Sequence, residues 1–529
     1  MQSVPLEIPH IFHRAEQQFG AKRIVSSLAD RIHEISVAEW SGRVRRLSGA
    51  LDVLGLGPGA PVATFGFNSQ RHLELYFAVP CSGRVLHPLN IRLSLDQLEF
   101  IVAQAKDEVV FIDQNLLPVL WPLADRVGTV RHWVVMDDGS GAGIPDDPRI
   151  ERYEHLLAAS APFEGTFSVG DENRAAGVCY TSGTTGNPKG VVYSHRSTVL
   201  HALVSLASGL LGISEGDVVM PVVPMFHASA WGLPYSALFA GADLVLPGAD
   251  MSPGALLQLM SRERVTVASA VPAIWATLLP HVADVDLGAL RAVFGGGSPT
   301  PPRLAAEWDL AVGVPITHTW GMTELSPTGA VGGTRSFHRG ADEQERLAIL
   351  ASQGSAIPLV DLRIVDLETG AVQPRDGVAV GELQAHGPTV AGGYLGVDDD
   401  DAMTSDGWLR TGDLASIDGT GYVLIRDRIK DLIKSGGEWI PTQQLETAIL
   451  SHPSIDETAV VGRPDPRWSE RPVAFIVTHD STKVSKADLL DHLAPRVPKW
   501  WFPDEVYSVE ELPRTTTGKI AKQELRRPG

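Results

Sequence analysis

Between about residues 30 and 280, short runs of β-branched residues alternate with segments of helical periodicity. The runs that begin at Pro61, Val109, Val130 and Ala242 are typical of buried strands. Strands that alternate with helices form parallel sheets that helices cover on both faces. After about residue 355, short strands between Gly and Asp turns indicate a small antiparallel, barrel-like subdomain. The predicted fold class is therefore α/β, with parallel or mixed βα sheets and a small β-barrel-like subdomain.

The length of the chain sets its domain organisation. With 529 residues, the chain is too long for one compact core, so at least two domains are expected. From about residue 430 onward, helices again combine with strands. We predict a large N-terminal domain over residues 1–428 and a small, mobile α+β C-terminal domain over residues 429–529. Within the first domain, Asn68 is predicted to cap a helix that runs from Ser69 to Val79.

Charge and composition exclude several classes of protein. The 44 Lys and Arg residues against 63 Asp and Glu residues give a net charge of −19, which disfavours nucleic-acid binding. The two cysteines, Cys81 and Cys179, are expected to be reduced core thiols, as in a cytoplasmic protein. No signal peptide is visible at the N-terminus, and no apolar stretch reaches the roughly 18 residues that a membrane span requires. We therefore expect a cytoplasmic protein without a transmembrane segment.

The strongest local signal is the segment from Tyr180 to Gly190, which is dense in glycine and hydroxyl residues and contains Lys189. Glycines let backbone N–H groups approach a polyphosphate, hydroxyl groups add donors, and a lysine adds a positive charge. The order of residues is not that of a Walker loop, because no G-K-[ST] ending is present. A flexible linker is disfavoured, since strand-like residues bracket the segment. The pattern predicts a phosphate-binding loop.

This loop resembles the phosphate-binding loop of the adenylate-forming superfamily, which includes acyl-CoA synthetases, luciferases and peptide-synthetase adenylation domains. Further segments match the superfamily's motifs in order and spacing along nearly the whole chain. They are Phe294–Pro299, Thr319–Glu324, Trp408–Asp413, Arg426–Lys434 and Pro513–Lys519.

The resemblance implies a role for each matching residue. The nucleotide would be held by Thr181, Ser182, Gly183, Thr185, Gly186, Lys189, Gly296, Gly297, Ser298, Trp320, Gly321, Met322, Thr323, Asp413, Arg428, Lys434 and Trp439. The catalytic group would comprise Lys519, Thr184, Glu324 and His227, and Lys430 would be the hinge between two conformations.

These implied roles have a physical basis. The carboxylate of Glu324 is a hard oxygen ligand suited to Mg²⁺. Asp413 can accept hydrogen bonds from two ribose hydroxyls, although a T-G-D sequence alone is usually only a turn. Lys519 follows a run of threonines and a glycine, and its ammonium group could neutralise charge at the α-phosphate.

The segment from Met225 to Tyr235 narrows the branch of the superfamily. It resembles medium- and long-chain fatty acyl-CoA synthetases and methylmercaptopropionate–CoA ligases. The resemblance places His227, Trp231 and Gly295 at the acyl pocket. The alternative for Trp231 is an ordinary core aromatic.

The predicted function is that of an AMP-forming acid–CoA ligase. ATP and CoA are the co-substrates and Mg²⁺ is the cofactor; the acid is expected to be a medium- or long-chain fatty acid, activated as an acyl-adenylate. Domain rotation would separate the two half-reactions. No G-x-S-x-G nucleophile motif is present.

One alternative is a ligase whose acceptor is an amine or a carrier protein. Another is a non-catalytic binder, which the presence of Lys189, Glu324, Asp413, Lys434 and Lys519 disfavours. Related fatty-acid enzymes are often homodimers, so a homodimer is compatible with the resemblance.

Overall fold

The computed structural model describes residues 1–181, 187–342, 345–346, 349–350, 352–397, 401–436, 438–479, 484–514 and 520–526. The chain forms two compact units. The first unit comprises Met1–Asp361 and His386–Leu409, and the second comprises Leu362–Ala385 and Arg410–Gly529. The boundary predicted between residues 428 and 429 lies within the second unit and stays a prediction.

The first unit contains the alternating strands and helices that the sequence predicts. Its strands are β1 (Arg23–Ser27), β2 (Ile32–Ser36), β3 (Pro61–Phe65), β4 (Val85–Pro88), β5 (Val109–Asp113), β6 (His132–Met136), β7 (Ile150–Arg152), β8 (Ala175–Thr181), β9 (Lys189–Ser194), β10 (Val218–Pro221), β11 (Asp243–Leu246), β12 (Val267–Ala270), β13 (Ala292–Gly296), β14 (Ile316–Gly321), β15 (Thr328–Val331) and β16 (Gly354–Ala356). Its helices are α1 (Ile8–Gln18), α2 (Val37–Val53), α3 (Gln70–Cys81), α4 (Leu95–Ala105), α5 (Leu117–Leu120), α6 (Tyr153–Ala159), α7 (His195–Ser205), α8 (Leu233–Ala240), α9 (Pro253–Arg262), α10 (Pro272–Leu278) and α11 (Pro302–Val312).

These strands form two sheets. One sheet has the order β7-β6-β5-β3-β4-β8-β9, and its pairings are parallel except between β8 and β9. The other runs in the order β16-β15-β14-β13-β12-β10-β11-β1-β2, with parallel pairing from β14 to β1. Every residue of β5 is buried, as expected for a parallel strand covered on both faces. The prediction of parallel and mixed sheets is confirmed.

The predicted cap at Asn68 is wrong. Ser69 is the N-cap residue, because its hydroxyl accepts a hydrogen bond from the His72 amide, and the helix begins at Gln70. The Asn68 side chain instead donates to the carbonyls of Pro221 (2.8 Å) and Val223 (3.0 Å). Asn68 therefore links the start of α3 to the end of β10.

The second unit carries the remaining strands and helices. Its strands are β17 (Asp361–Val365), β18 (Gly381–His386), β19 (Leu409–Ile417), β20 (Tyr422–Arg428), β21 (Ile433–Ser435), β22 (Glu438–Ile440), β23 (Ile455–Asp465), β24 (Ser469–Thr478) and β25 (Glu505–Ser508). Its helices are α12 (Thr442–Leu450), α13 (Lys486–Leu493) and α14 (Lys522–Arg526).

Two strand groups organise this unit. Strands β17 to β20 lie side by side in chain order and account for the small β-subdomain that the sequence predicts. A second sheet has the order β22-β21-β24-β23, and β25 pairs with β24. Leu445 and Ile449 of α12 and Leu489 of α13 pack on one face of this sheet, whereas Leu512 packs against Phe475 on the other. Apolar residues thus cover both faces, which gives this sheet a core of its own.

Among the described residues, the longest helices lack the length and apolar character needed to cross a membrane.

Candidate active site

The ends of β13 and β14 bring two predicted nucleotide segments together. The two strands are parallel, and their register pairs Gly295 with His318 and Gly296 with Thr319. Gly295–Ser298 and Thr319–Glu324 therefore emerge side by side at the carboxyl edge of the sheet, where open α/β sheets bind ligands. A Cβ atom at Gly296 would lie 2.4 Å from Thr319 Oγ1, so glycine is required for this close approach.

The β8–β9 hairpin positions the predicted phosphate loop. Thr181 and Lys189 are opposite each other in the antiparallel register, at the end of the hairpin where the connecting loop joins β8 to β9. The Thr181 hydroxyl donates a long hydrogen bond of 3.4 Å to the Lys189 carbonyl. The predicted contacts Ser182, Gly183, Thr184, Thr185 and Gly186 lie outside the described residues.

Glu324 lies in a tight turn that neighbouring elements hold in place. The side chain of Glu324 is buried, and the backbone carbonyls of this turn accept hydrogen bonds from the Tyr193 hydroxyl (2.8 Å, to Thr323) and the Ala391 amide (2.7 Å, to Glu324). Tyr193 belongs to β9, so the β8–β9 hairpin and the Glu324 turn are directly connected.

Tyr394 joins two predicted site residues that are far apart in sequence. Its hydroxyl donates a 2.6 Å hydrogen bond to Glu324 Oε1, and the Lys189 ammonium lies 4.8 Å from the centre of its ring. Sequence reasoning missed this residue. The only local signal is an aromatic residue after the pair Gly392 and Gly393, which does not by itself indicate a site.

The segment after His227 adopts an unusual backbone conformation. Ala228, Ser229, Ala230 and Trp231 have φ angles of 44°, 51°, 49° and 55°, and Gly232 continues the turn at 73°. A left-handed conformation costs roughly 1–2 kcal/mol for each L-residue, so this turn persists only because its surroundings fix it. The Asn68 side chain contributes by accepting a 2.7 Å hydrogen bond from the Met225 amide.

This left-handed turn directs Trp231 toward Gly296, one of the predicted nucleotide residues. The Trp231 ring tip would lie 3.0 Å from a Cβ atom at Gly296. Trp231 is only partly buried, although it packs against the core of the first unit. The structure thus places Trp231 beside Gly296. The neighbouring residue Gly295 accepts a 3.2 Å hydrogen bond at its carbonyl from Thr319 Oγ1.

A small pocket lies behind the left-handed turn. Its lining includes apolar residues such as Leu86 and Ala176, together with Ser229, Gly232 and Tyr235. Its titratable groups are uncharged near neutral pH. Burial lowers the pKa of His201 to about 4 and raises the pKa of Cys179 to about 11, where hydrogen bonds from Ser229 only partly offset the burial. The cavity volume is about 20 Å³, which is room for about one water molecule, so the lining is uncharged but the pocket is too small in this conformation for an acyl chain.

In the second unit, Asp413 and Arg428 face each other across β19 and β20. Arg428 Nε lies 2.7 Å from Asp413 Oδ1, and the Asp413 side chain is buried whereas Arg428 is partly exposed. Gly412, within β19, has a φ of 70°, a left-handed conformation that glycine adopts without strain immediately before Asp413. The predicted ribose acceptor and the predicted nucleotide arginine are therefore an ion pair.

The predicted hinge residue, Lys430, and the predicted nucleotide residues Lys434 and Trp439 come shortly after Arg428 in the chain. Lys430 lies in the short turn Ile429–Asp431 directly after β20. Lys434 and Trp439 are paired across β21 and β22, with the Lys434 ammonium 5.3 Å from the Trp439 ring centre. Trp439 is 42% exposed, so its face is accessible to a planar ligand. Lys519 lies outside the described residues.

The described residues contain no cluster of three or more His, Cys, Asp or Glu side chains that could hold a metal ion by themselves. Mg²⁺ commonly binds through one or two carboxylates together with substrate phosphates. Glu324, with its orientation fixed by Tyr394, fits that mode.

Family models match most of the chain. The model described as AMP-binding enzyme matches residues 12–395, and the model of the AMP-binding enzyme C-terminal domain matches residues 444–519. The chain belongs to the AMP-binding enzyme family. The predicted membership of the adenylate-forming superfamily is therefore confirmed.

Full-length relatives of this AMP-binding enzyme include several CoA ligases. It is 43% identical to the long-chain-fatty-acid–CoA ligase of Thermus thermophilus, over 99% of this chain and 96% of the relative. It is 40% identical to the 3-methylmercaptopropionyl-CoA ligase of Ruegeria lacuscaerulensis, over 99% and 98%. It is 39% identical to the medium-chain-fatty-acid–CoA ligase of Ectopseudomonas oleovorans, over 98% and 95%.

Solved structures support the fold. ATP-bound MatB from Rhodopseudomonas palustris matches this AMP-binding enzyme with a TM-score of 0.85 and 28% identity, covering 98% of both chains. The amide bond synthetase McbA from Marinactinospora thermotolerans matches with a TM-score of 0.84 and 26% identity, covering 98% and 99%. The predicted fold class, a large α/β portion with a smaller C-terminal portion, is confirmed.

Proposed function

We propose that the acid activated by this enzyme is a medium- or long-chain fatty acid or a similarly apolar acid. The enzyme is an AMP-forming acid–CoA ligase, which converts ATP, a carboxylic acid and CoA into acyl-CoA, AMP and pyrophosphate. The observation that carries the choice of acid is the 39–43% identity, over nearly the whole chain, to CoA ligases named for medium- and long-chain fatty acids. The uncharged lining of the pocket behind Ala228–Gly232 supports this choice. A second carboxylate or an ammonium group on the acid would lose its hydration there without gaining a charged partner.

The first unit supplies the groups for acyl-adenylate formation. The acid carboxylate attacks the α-phosphorus of ATP, and pyrophosphate leaves. This step needs alignment of the reactants and neutralisation of charge, not a side-chain nucleophile. Lys189 and the loop that begins at Thr181 would hold the β- and γ-phosphates, Thr184 and Thr323 would contact the reacting phosphate, and Gly296 would lie against the adenine.

Mg²⁺ would be held by Glu324 and the phosphates of ATP. When bound, it would supply positive charge that offsets the charge of the polyphosphate. The contribution of the chain itself is the orientation of Glu324, which Tyr394 and the backbone contact from Ala391 maintain.

The second unit supplies the residues that we assign to the ribose and to the exchange between half-reactions. Asp413 would accept hydrogen bonds from the ribose hydroxyls while Arg428 holds its carboxylate in place. Lys519 would contribute its charge only during adenylation. Rotation at Lys430 would then remove Lys519, and the CoA thiolate would attack the acyl-adenylate carbonyl and displace AMP.

The acid is identified by a panel that runs from propionate through palmitate and includes aryl and dicarboxylic acids. Pyrophosphate release in the presence of ATP and CoA is measured for each acid as kcat/KM. We expect the values to rise with chain length over the medium-chain range. A preference for a short, charged or dicarboxylic acid would contradict the proposed apolar substrate.

An amine acceptor is the second candidate. It is favoured by the structural similarity to an amide bond synthetase, but the CoA ligases are considerably more similar in sequence, at 39–43% against 26% identity. Incubation with the best acid, ATP and equimolar CoA and amine decides between them. The products are identified by mass spectrometry. A thioester as the main product supports CoA as the acceptor, whereas an amide as the main product shows that the acceptor is an amine.

Two further proposals rest on the resemblance to fatty-acid enzymes. We propose a cytoplasmic location and a homodimer. Sedimentation equilibrium of the purified chain tests the latter, and a monomer at micromolar concentration would contradict it.

A further inference from the structure

The side chain of Asn68 contacts the backbone of three alternate residues that lead to the left-handed turn at Ala228–Gly232. Its amide nitrogen donates to the carbonyls of Pro221 (2.8 Å) and Val223 (3.0 Å), and its oxygen accepts a 2.7 Å hydrogen bond from the Met225 amide. Asn68 is only 4% exposed, so water does not compete for these groups. Because buried backbone groups need partners, Asn68 fixes the direction of the chain from the end of β10 to Met225.

Tyr76, in α3, holds the other side of Met225. Its hydroxyl donates to the Met225 carbonyl, and the Ser229 side chain of the turn lies within hydrogen-bonding reach of the same hydroxyl. The Tyr235 hydroxyl, from α8, donates a 3.2 Å hydrogen bond to the Tyr76 carbonyl. Tyr76 is fully buried, so its ring and hydroxyl have a fixed place between α3 and the turn.

Among the described residues, backbone contacts from the neighbouring strand β12 reach only the earlier part of this segment. The Ser269 carbonyl accepts hydrogen bonds from the amides of Val222 (2.9 Å) and Val223 (3.1 Å). Met225 lies further along, where its amide and carbonyl are paired with the two side chains described above. Its own side chain is buried in the core, which holds the residue in place but does not pair its backbone groups. The backbone direction on the approach to His227 is therefore fixed from the α3 side and not from the sheet.

The turn that follows needs to be held at both ends. The residues from Ala228 to Trp231 all have positive φ angles, which are unfavourable for L-residues and persist only where the surroundings impose them. At the far end, Gly232 lies close against His201 of α7 and leads directly into α8. Asn68 and Tyr76 supply the corresponding contacts at the near end.

We propose that Asn68 and Tyr76 are positioning residues for the acid site, which hold the chain at Met225 so that the left-handed turn presents His227 and Trp231 to the acid. The proposal rests on the proposed function and on the assignment of His227 and Trp231 to the acyl pocket. Loss of either contact lets the turn relax toward ordinary φ angles and displaces both site residues together. Recognition of the acid is then impaired, whereas the groups that bind ATP keep their places.

Cys179 reports the position of the turn without any substrate. Its Sγ lies 3.6 Å from Ser229 Oγ, and its hydrogen bonds with the backbone of Ala228 and Ser229 partly offset the burial that raises its pKa. The thiol is therefore covered by the turn. Cys81, the other cysteine of the chain, is buried at the end of α3. A displaced turn exposes Cys179 alone, whereas general loosening of the fold exposes both thiols.

The test uses the full-length enzyme carrying Tyr76→Phe, Asn68→Ala or both changes. Tyr76→Phe keeps the ring and its packing, so it tests the proposal even if Asn68→Ala fails to fold. Tyr153→Phe and Gln114→Ala are the matched controls, because each removes a buried donor of the same unit that has a different partner.

Three quantities are measured for every variant. Labelling of each cysteine by N-ethylmaleimide is followed by mass spectrometry of the peptides in the absence of substrates. Steady-state kinetics give kcat/KM for butyrate and for decanoate, together with KM for ATP. A melting curve records the stability of each protein.

We expect Cys179 to be labelled about tenfold faster in Tyr76→Phe and faster still in Asn68→Ala, with Cys81 within about twofold of the parent enzyme. The ratio of kcat/KM for decanoate to that for butyrate should fall about fivefold, with KM for ATP within about twofold and both controls unchanged. Unchanged labelling of Cys179, or equal increases at both cysteines, overturns the positioning role. Faster labelling of Cys179 with an unchanged acid ratio also overturns it, because the turn would then move without affecting the acid.

Failure of the proposed function gives a different result. A parent enzyme that prefers a short or charged acid contradicts the proposed substrate, and this is seen before any variant is compared. The labelling of Cys179 requires no substrate, so it still decides whether Asn68 and Tyr76 hold the turn.

Discussion

The hydroxyl of Tyr394 donates a 2.6 Å hydrogen bond to Oε1 of Glu324. The two residues are 70 positions apart in sequence, and the ring of the same tyrosine lies 4.8 Å from the Lys189 ammonium. One side chain therefore orients the proposed Mg²⁺ ligand through its hydroxyl and contacts the proposed phosphate lysine through its ring. Cation–π contacts and hydrogen bonds to charged groups are each worth on the order of 1 kcal/mol or more.

We predict that Tyr394→Phe lowers kcat/KM for ATP about tenfold, because it removes the hydrogen bond to Glu324 while keeping the ring beneath Lys189. Tyr394→Leu should cost more, since it removes both contacts. Tyr507→Phe is the matched control, because the Tyr507 hydroxyl also donates to a carboxylate, that of Glu505, in the second unit. Steady-state kinetics at several Mg²⁺ concentrations check this. An unchanged value for Tyr394→Phe would show that Glu324 keeps its function without this contact.

We predict that Lys519→Ala slows acyl-adenylate formation by roughly a hundredfold or more, the scale for loss of one charged contact to a transition state. Thioester formation from supplied acyl-adenylate should change little, because the proposed role of Lys519 ends with adenylation. Single-turnover pyrophosphate release and thioester formation are measured separately. If both rates fall by the same factor, the proposal of two conformations that use different residues is wrong.

Asp413 is predicted to act in nucleotide binding. Asp413→Asn should raise KM for ATP about tenfold while kcat changes less than about threefold, because an acceptor for ribose hydroxyls stabilises the ground and transition states equally. The change also removes the charge that Arg428 faces at 2.7 Å. Asp504→Asn is the control, since it breaks an ion pair between the half-exposed Asp504 and Arg471 in the same unit. A KM for ATP equal to that of the parent enzyme would remove Asp413 from the ribose site.

The sequence predicted the site better where motifs follow regular elements than where distant segments meet. Gly296 and Thr319 belong to motifs that the resemblance assigns to one nucleotide site, and they meet because β13 and β14 are parallel neighbours that end at a common edge of the sheet. The contact between Tyr394 and Glu324 could not be predicted from the sequence, since it depends on the path of an irregular segment. Asn68 shows the same limit. Its position before a helix favours a cap, but the approach of β10 gives its amide better partners, and Ser69 caps the helix.

The left-handed turn at Ala228–Gly232 was also beyond sequence reasoning. Alanine and tryptophan disfavour positive φ angles, and only Gly232 suggests one. The turn is imposed by its surroundings. A Cβ atom at Gly232 would lie 2.6 Å from His201 Nδ1, so the close approach of α7 also contributes.

His201 gives a prediction about pH. Burial lowers its pKa to about 4 from an ordinary value of about 6.5. The folded state therefore disfavours protonation of His201. The contribution of neutral His201 to the free energy of unfolding is fully present above about pH 6.5 and is lost as the pH falls toward 4. Between pH 7.5 and 5, the parent enzyme should lose about 2 kcal/mol of unfolding free energy relative to His201→Gln. Urea unfolding at both pH values measures this difference. A constant difference between the two proteins would show that His201 titrates normally.

Trp231 is predicted to limit which acids enter the pocket. It is partly buried, it lies 3.0 Å from the position of a Cβ atom at Gly296, and its backbone is held in a left-handed turn between small residues. Its side chain therefore lies beside the predicted nucleotide residue Gly296, and its neighbours Ser229 and Gly232 line the pocket behind the turn. A bulky ring in this position excludes acids by its volume, whereas an ordinary core tryptophan stabilises the fold. We expect Trp231→Ala to change the ranking of acids by chain length while KM for ATP stays within about twofold.

The matched control for Trp231→Ala is Trp308→Ala. Trp308 is fully buried in the same unit and packs against Trp275 at a ring-centre distance of 5.0 Å. Truncation of such a residue costs about 3–5 kcal/mol and should lower the melting temperature by several degrees, with activity toward every acid reduced together. Trp231→Ala should leave the melting temperature nearly unchanged, because its ring is only partly buried and its loss leaves the left-handed turn in place. The measurement pairs a melting curve with kcat/KM for acids from four to sixteen carbons. If Trp231→Ala behaves as Trp308→Ala does, Trp231 is a core residue and the selection of acids lies elsewhere in the pocket.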